Sequence, residues 1–261
     1  MIGLGLDGRA ALVTGAGIGI GREIAAWLVR AGCDVGLVDR DEASLDAAVD
    51  DLKTHGTLVV AQVADLRDGG AADRAIGALV SDLGRLDIAV NNVGSLAGRG
   101  PAPFVEQDGA YVRDIVEQNL VVTAACCRAE ARVMLDAERG GVILNITSGE
   151  TTRPALDLAA YGAAKAAINH LTTTLAAELG PHDIRVNAIA PGTTLTPTVA
   201  AALTEEYVDA LVESLPLRRM CEPDDVARVV IALASDLGRA VTGQVVLADN
   251  GAHLSRNRPE R

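Results

Sequence analysis

Tyr161 and Lys165 stand four residues apart in a stretch, 159–180, whose Ala, Leu and Glu content and apolar spacing predict one long helix. On a helix that spacing brings both side chains to one face. A phenol with an ordinary pKa of about 10 is a poor acid or base near neutrality, so a catalytic Tyr needs a group that favours its anion. A cation at ~4 Å in an effective dielectric of ~20 supplies roughly 4 kcal/mol, enough to bring the phenol toward neutrality. The chemistry in view is proton transfer to a carbonyl or from an alcohol. Tyr-x-x-x-Lys is also a common surface pair on helices. This chain otherwise chooses Arg, however, and Lys53 and Lys165 are its two lysines.

Such a pair needs a partner across the reacting carbon, and the first half of the chain reads as a holder for one. Residues 9–13 predict a strand, followed by Thr14-Gly-Ala-Gly-Ile-Gly-Ile-Gly21 and an amphipathic helix over 22–31. Glycines let the backbone turn tightly against a ligand, and a helix N-terminus offers unpaired N–H groups that suit a pyrophosphate. A second strand, 34–38, ends in Asp39-Arg40. The Asp39 carboxylate stands where it can accept hydrogen bonds from ribose hydroxyls and repel a 2′-phosphate; the plain alternative is that it begins a turn or caps the helix over 42–54. Arg40 is the group that would meet such a phosphate. NAD is favoured over NADP.

Strands over 58–63 and 86–90 and a helix over 70–83 continue the alternation, placing Asp65 and Asn92 at strand ends. The pattern predicts an α/β fold, a Rossmann-type doubly wound parallel sheet of seven strands flanked by helices, with ligands at the carboxyl edge. A loop over 95–104 leads to a helical region, 105–136, in which Asn119 marks either a local irregularity or a solvated face. Strand 141–147 delivers Ser148 to the same edge, and strands 184–189 and 244–247 complete the sheet. A helix is predicted over 223–235. Residues 197–217, bounded by prolines, form either a lid over the substrate or a plain surface insertion. The expectation is one domain over 1–254 and a polar tail over 255–261.

The 261 residues are 49% hydrophobic and carry a net charge of −12. That charge opposes nucleic acid or an anionic membrane as partner. With no long apolar run and no leader pattern, a soluble, cytoplasmic protein is expected. The cysteines at 33, 126, 127 and 221 lack paired spacing and read as buried thiols, and the four histidines lack metal-ligand spacing.

Taken together, these motifs resemble the single-domain branch of the short-chain dehydrogenase/reductase family over nearly the whole chain. The glycine turn is Thr14 to Gly21, Asn-Asn-x-Gly is Asn91 to Gly94, the catalytic Asn is Asn119, and the Ser thirteen residues before the Tyr is Ser148. Tyr161 to Lys165 and Pro191-Gly192 complete the series. The resemblance implies the strand order 3-2-1-4-5-6-7 and roles for four residues. Tyr161 is the general acid/base, Ser148 holds the substrate oxygen, Lys165 lowers the phenol pKa and binds the nicotinamide ribose, and Asn119 holds a water that links Lys165 to solvent. It implies cofactor contacts from Gly15, Gly17, Ile18, Gly19, Ile20, Asp39, Arg40, Ala64, Asp65 and Leu66. Further contacts come from Asn92, Val93, Gly94, Tyr161, Lys165, Pro191, Gly192, Thr194 and Thr196. It places substrate specificity at Ser95, Leu96, Glu150, Leu158, Gly192 and the lid, and implies a homotetramer or dimer. Ile18 replaces an Arg frequent in NADP-preferring relatives, and Val93 replaces the more usual Ala.

Four segments, Asn91 to Gly94, Pro101 to Phe104, Gly141 to Ser148, and Leu215 to Arg219, are similar to bacterial 7α-hydroxysteroid dehydrogenases. The leading expectation is NAD(H)-dependent interconversion of a secondary alcohol and a ketone, on an alicyclic or steroid substrate. A 3-oxoacyl-thioester (acyl-carrier-protein) reductase is a second enzyme reading, and a cofactor-binding sensor or scaffold a third. Glu150 and Arg153 either contact a polar substrate or pair at the rim.

Overall fold

A computed structural model of the chain describes residues 3–255. Its elements run β1 (Ala10–Thr14), α1 (Gly19–Arg30), β2 (Asp34–Asp39), α2 (Glu42–Leu52), β3 (Val59–Val63), α3 (Ala71–Leu83) and β4 (Ile88–Asn91). They continue with α4 (Gly109–Val116), α5 (Val122–Ala137), β5 (Gly141–Ile146), α6 (Ala159–Leu179), β6 (Ile184–Pro191), α7 (Pro197–Ala200), α8 (Glu205–Ser214), α9 (Pro223–Ala234) and β7 (Val245–Ala248). The seven strands lie in the order β3-β2-β1-β4-β5-β6-β7 and every pairing is parallel. The expected topology is therefore present, with the order reversing between β1 and β4, where a crevice opens at the carboxyl edge.

The central strands are apolar throughout because helices cover both faces. Ala11 and Val13 of β1 pack into a layer with α1, α2 and α9, whereas Leu12 between them packs into the layer of α3, α5 and α6. Alternate residues of one strand thus anchor opposite helical layers. The four cysteines are buried and free, as expected.

The helix expected over 22–31 starts three residues earlier, at Gly19 inside the glycine turn, and strand ends differ from the sequence reading by one or two residues. Pairing of β6 with β7 continues to Pro191 opposite Ala248, and pairing of β4 with β5 takes in Asn91 opposite Asn145. A larger difference lies in the helix expected over 105–136. A tight turn over Phe104–Glu106 comes first, α4 starts afresh after Asp108, which caps it by accepting from the Tyr111 amide at 2.8 Å, and a π turn over Glu117–Val121 separates α4 from α5. Asn119 sits in that turn, and its side-chain amide donates to the Ile115 carbonyl at 2.8 Å. The backbone amide four residues on normally claims that carbonyl, so the side chain displaces the regular ladder. The expected irregularity is real.

The excursion expected over 197–217 is two helices, α7 and α8, capped by Thr196 and Thr204 respectively. Leu211 and Leu215 pack on Met220 and Ala252, which seats α8 on the segment after β7. Residues 256–261, most of the expected tail, lie outside the described residues.

Candidate active site

The first turn of α6 positions Tyr161, and a side chain from 53 residues earlier holds that turn in place. Gln107 Oε1 accepts from the Ala160 amide at 3.1 Å while Gln107 Nε2 donates to the Ala102 carbonyl at 2.7 Å. The residue before α6, Leu158, offers no side-chain cap, so Gln107 satisfies an otherwise open helix amide. Nothing local in the sequence marks it. Gln107→Leu is expected to cost about 1 kcal/mol, seen as a fall of ~2–4 °C in Tm, with a larger relative loss in kcat than in cofactor affinity.

Lys165, one turn along, is 2% exposed; its Nζ donates to the Ile146 carbonyl at 3.0 Å and lies 5.8 Å from the Tyr161 ring centroid. The pair therefore shares one face of α6, as the spacing predicts. Their electrostatics differ from the sequence expectation. Burial pushes the Tyr161 phenol up to about 12, with the Ser148 hydroxyl pulling it down and the Glu150 carboxylate pushing it further up. Burial likewise pushes Lys165 down to about 8. The cause is desolvation of both ions: Lys165 spends its hydrogen bond on Ile146 rather than on the phenol oxygen, and a low-dielectric pocket penalises each charge separately. In these surroundings the phenol is a protonated donor.

Ser148 follows β5 and is 7% exposed; its Oγ accepts from the Glu150 amide at 3.2 Å, which leaves its own hydrogen available to a third group. Asn119 is fully buried, and its Nδ2 also donates to the Ser95 carbonyl at 2.8 Å. Among the described residues its Oδ1 has no hydrogen-bond partner. A methyl group added at Gly94 would stand 2.6 Å from Lys165 Nζ and 2.7 Å from Asn119 Oδ1. An ammonium donor and an amide acceptor thus face one small space above a glycine, at the carboxyl end of β4.

The glycine turn lies beside that space. Asn92 Nδ2 donates to the Thr14 and Gly15 carbonyls at 3.2 and 3.0 Å, and Thr14 Oγ1 accepts from the Asn92 amide at 3.1 Å, so the ends of β1 and β4 are stapled together. Gly15 has φ +63, the left-handed region that glycine enters without strain. Ile18 precedes α1 without a side-chain cap, so the first-turn amides point to the crevice with the partial positive charge a pyrophosphate needs. Thr196 lies across the turn, its methyl 3.2 Å from a β-carbon placed on Gly19. Thr194 closes the floor, with Oγ1 donating to the Gly192 carbonyl at 3.0 Å. These features fit an extended dinucleotide.

At the far end, Asp39 Oδ2 accepts from the Gly17 amide at 2.9 Å and Oδ1 from the Asp41 amide at 3.1 Å. Asp41, not Asp39, caps α2, so of the plain alternatives for Asp39 the cap is removed, while its bond from the Asp41 amide two residues on is a turn contact. Arg40 and Ile18 are exposed at the same rim, and Ala64 is tied to this corner by its amide, which donates to the Asp39 carbonyl at 2.9 Å. Asp65 lies two residues beyond β3, and its carboxylate pairs with Arg67, whose hydrogen bonds hold it down at about 2. The Leu66 side chain packs into the core, whereas Val93 is partly buried and its Cγ2 lies 3.3 Å from a β-carbon placed on Gly15.

Of the expected substrate residues, Leu96 packs, as Tyr161 does, against the cluster of Tyr111, Ile115, Ala160 and Ala164, Leu158 is buried, and Ser95 Oγ accepts from the Ala97 amide at 3.1 Å. Arg153 Nη1 donates to the Ala252 carbonyl at 2.8 Å, joining the loop after Ser148 to the segment after β7.

The family model described as enoyl-(acyl carrier protein) reductase matches residues 15–253. The 7α-hydroxysteroid dehydrogenase of Escherichia coli strain K12 is 34% identical over 248 residues, 95% of each chain. The chain belongs to the short-chain dehydrogenase/reductase family. The cyclohexanol dehydrogenase of Rhodococcus sp. strain TK6 is 37% identical over 269 residues, covering 97% of this chain and 98% of the relative. A solved 7α-hydroxysteroid dehydrogenase in complex with NADH and 7-oxo glycochenodeoxycholic acid superposes with a TM-score of 0.91 at 33% identity, covering 98% of both chains. This family member is an oxidoreductase acting on CH–OH groups of a small molecule, with a nicotinamide cofactor. No described helix is long and apolar enough to cross a membrane.

Proposed function

We propose that this enzyme interconverts a secondary alcohol and a ketone with NAD(H), through Tyr161 as general acid/base. The observation that carries the reading is the convergence of Lys165 Nζ and Asn119 Oδ1 over Gly94, with Tyr161 and Ser148 on the adjoining corner of α6 and β5. Gly15, Gly17, Gly19, Asp39, Asn92, Gly94 and Thr194 to Thr196 would hold the cofactor, which supplies the hydride donor or acceptor when bound. The chain's own residues handle the proton and the oxygen. In ketone reduction Tyr161 Oη gives its proton to the carbonyl oxygen, and the Ser148 hydroxyl donates a hydrogen bond to that same oxygen. Lys165, as the ammonium, compensates the phenolate left behind, and the Asn119 carboxamide oxygen accepts from a water that passes protons between Lys165 and solvent. In alcohol oxidation the order reverses, and Tyr161 must first be ionised.

Asp39 supports NAD. Its two oxygens lie beside the glycine turn, where ribose hydroxyls can donate to them and a 2′-phosphate would meet a fixed negative charge. Asp39→Ser is expected to lower the ratio of kcat/KM for NAD over NADP at least about tenfold, since one unopposed charge contact is worth at least ~1.4 kcal/mol here. An unchanged ratio sets the Asp39 reading aside.

Relatives acting on hydroxysteroids and on cyclohexanol support an alicyclic or steroid substrate. We place α7 and α8 over it as a lid and take the working form as a homo-oligomer. A panel of cyclic secondary alcohols and hydroxysteroids, assayed by NADH formation, tests the substrate class, and sedimentation tests the assembly. A 3-oxoacyl-thioester reductase is the second reading, and the family model's description shares with it the acyl-carrier-protein substrate but not the keto group reduced. A net charge of −12 is unfavourable for docking an acidic carrier protein, and turnover of acyl thioesters above cyclic alcohols would reverse the order.

A further inference from the structure

Glu130 on α5 is a carboxylic acid with no exposed surface and, among the described residues, no ion-pair partner. Its Oε2 accepts from Asn91 Nδ2 at 2.9 Å, and the same amide donates to Asn145 Oδ1 at 3.1 Å. Asn145 Nδ2 in turn donates to Thr172 Oγ1 at 3.0 Å. One buried chain of polar groups therefore joins α5, β4, β5 and α6. Those elements carry the site: Asn91 precedes Asn92 to Gly94, Asn145 stands three residues before Ser148, and Thr172 lies two turns beyond Lys165.

The donors and acceptors of this cluster do not balance. Glu130 Oε1 and Asn91 Oδ1 are both buried without a donor among the described residues. As a carboxylate, Glu130 would leave a charged oxygen unsatisfied in a dry interior; as a neutral acid it brings its own hydrogen to a cluster short of donors. The groups facing it agree. The strands β4 and β5 contribute amides, α6 a hydroxyl, and α5 itself the thiols of Cys126 and Cys127, which burial holds well above their ordinary range. The charged group that α3 brings against α5, Asp73, pairs with Arg128 at the surface.

We propose that Glu130 is a positioning residue for the reaction: held as a neutral acid against Asn91, it sets the carboxyl ends of β4 and β5 from which Asn92 to Gly94 and Ser148 project. The proposal rests on the alcohol–ketone reading above for its kinetic consequences. Its physical basis does not. Burial pushes the acid up to about 7 from an ordinary 4.5, with the Asn91 amide pulling it down. Between those two values the folded protein keeps a proton that the unfolded chain releases, so the stability tied to this acid is fully present below 4.5 and is lost as the pH rises to about 7. Above that value the folded protein holds an ionised group in the strand junction.

The test compares Glu130→Gln, which keeps a neutral acceptor for Asn91, with Glu130→Leu, which removes it. The wild type is expected to show the infrared carbonyl band of a protonated carboxyl near pH 6, lost in both variants. Its Tm deficit relative to Glu130→Gln should grow between about pH 5 and about pH 8. In kinetics the ratio of kcat for Glu130→Gln over wild type should stay near one at about pH 6 and rise several-fold by about pH 9. Glu130→Leu, folded, should lose about tenfold or more in kcat with little change in KM. A band common to wild type and Glu130→Gln, a pH-independent Tm difference, or a Leu variant with unaltered kcat overturns the proposal. The infrared and Tm readouts need no substrate, so a failure of the alcohol–ketone reading shows separately, as absence of turnover in all three proteins with the band intact.

Discussion

Tyr161→Phe is expected to lower kcat about a thousandfold, ~4 kcal/mol of barrier, while the dissociation constant for NADH moves less than about threefold. The ring remains, so packing against the cluster of the α4 and α6 residues Tyr111, Ile115, Ala160 and Ala164 is retained. What disappears is the proton. Ketone reduction then requires water to protonate an oxygen that only Ser148 still meets, in a pocket where burial raises the energy of any isolated ion. In alcohol oxidation the phenolate must form first, and with Tyr161 pushed up to about 12 the fraction ionised grows tenfold for each pH step through the neutral range. Wild-type oxidation should therefore accelerate as the pH rises, and the Phe variant should lack that rise. Steady-state kinetics with NAD across pH, alongside fluorescence titration of NADH, measures both quantities. Loss of NADH binding in step with kcat points instead to a structural role for the ring.

Gly94→Ala is expected to reduce kcat/KM about a hundredfold or more although it adds one carbon. That carbon would lie 2.6 Å from Lys165 Nζ and 2.7 Å from Asn119 Oδ1, well inside contact distance. Lys165 is held by the Ile146 carbonyl and Asn119 by the carbonyls of Ser95 and Ile115, so neither can retreat without giving up a buried hydrogen bond. Displacements near 1 Å at a catalytic group cost on the order of a hundredfold. Gly94 faces the crevice, so the Tm should fall by no more than a few degrees. Normal kinetics would mean that Lys165 and Asn119 move freely, against the convergence on which the proposed function stands.

Much of this site was legible before the fold was known, and the reasons are local. Tyr161 and Lys165 share a helix, so 3.6 residues per turn places them together; Asn92 and Ser148 come just after strands, and parallel α/β sheets gather strand ends at one edge. The irregularity at Asn119 was readable from the side chain itself, since Asn competes for backbone hydrogen bonds. The role of Gln107 was hidden because it depends on a hydrogen bond spanning 53 residues, and no periodicity encodes that. Glu130 was hidden for a related reason: on the helical pattern it is one more polar residue, and only packing against β4 and β5 reveals it as buried. The rest phenol acidity also escaped, because desolvation depends on what surrounds the pair rather than on its spacing. For the same reason the cap of α2 was not legible: only the structure shows that Asp41, rather than Asp39, accepts from the helix amide.

Hydride transfer from the carbinol carbon can be followed directly. A cyclic secondary alcohol deuterated at that carbon, incubated with the purified protein and NAD, is predicted to give the ketone and a reduced nicotinamide carrying one deuterium by mass spectrometry, with product formation abolished to near background in Tyr161→Phe. Reduced cofactor without deuterium, or labelled product formed equally fast by the Phe variant, would contradict the account.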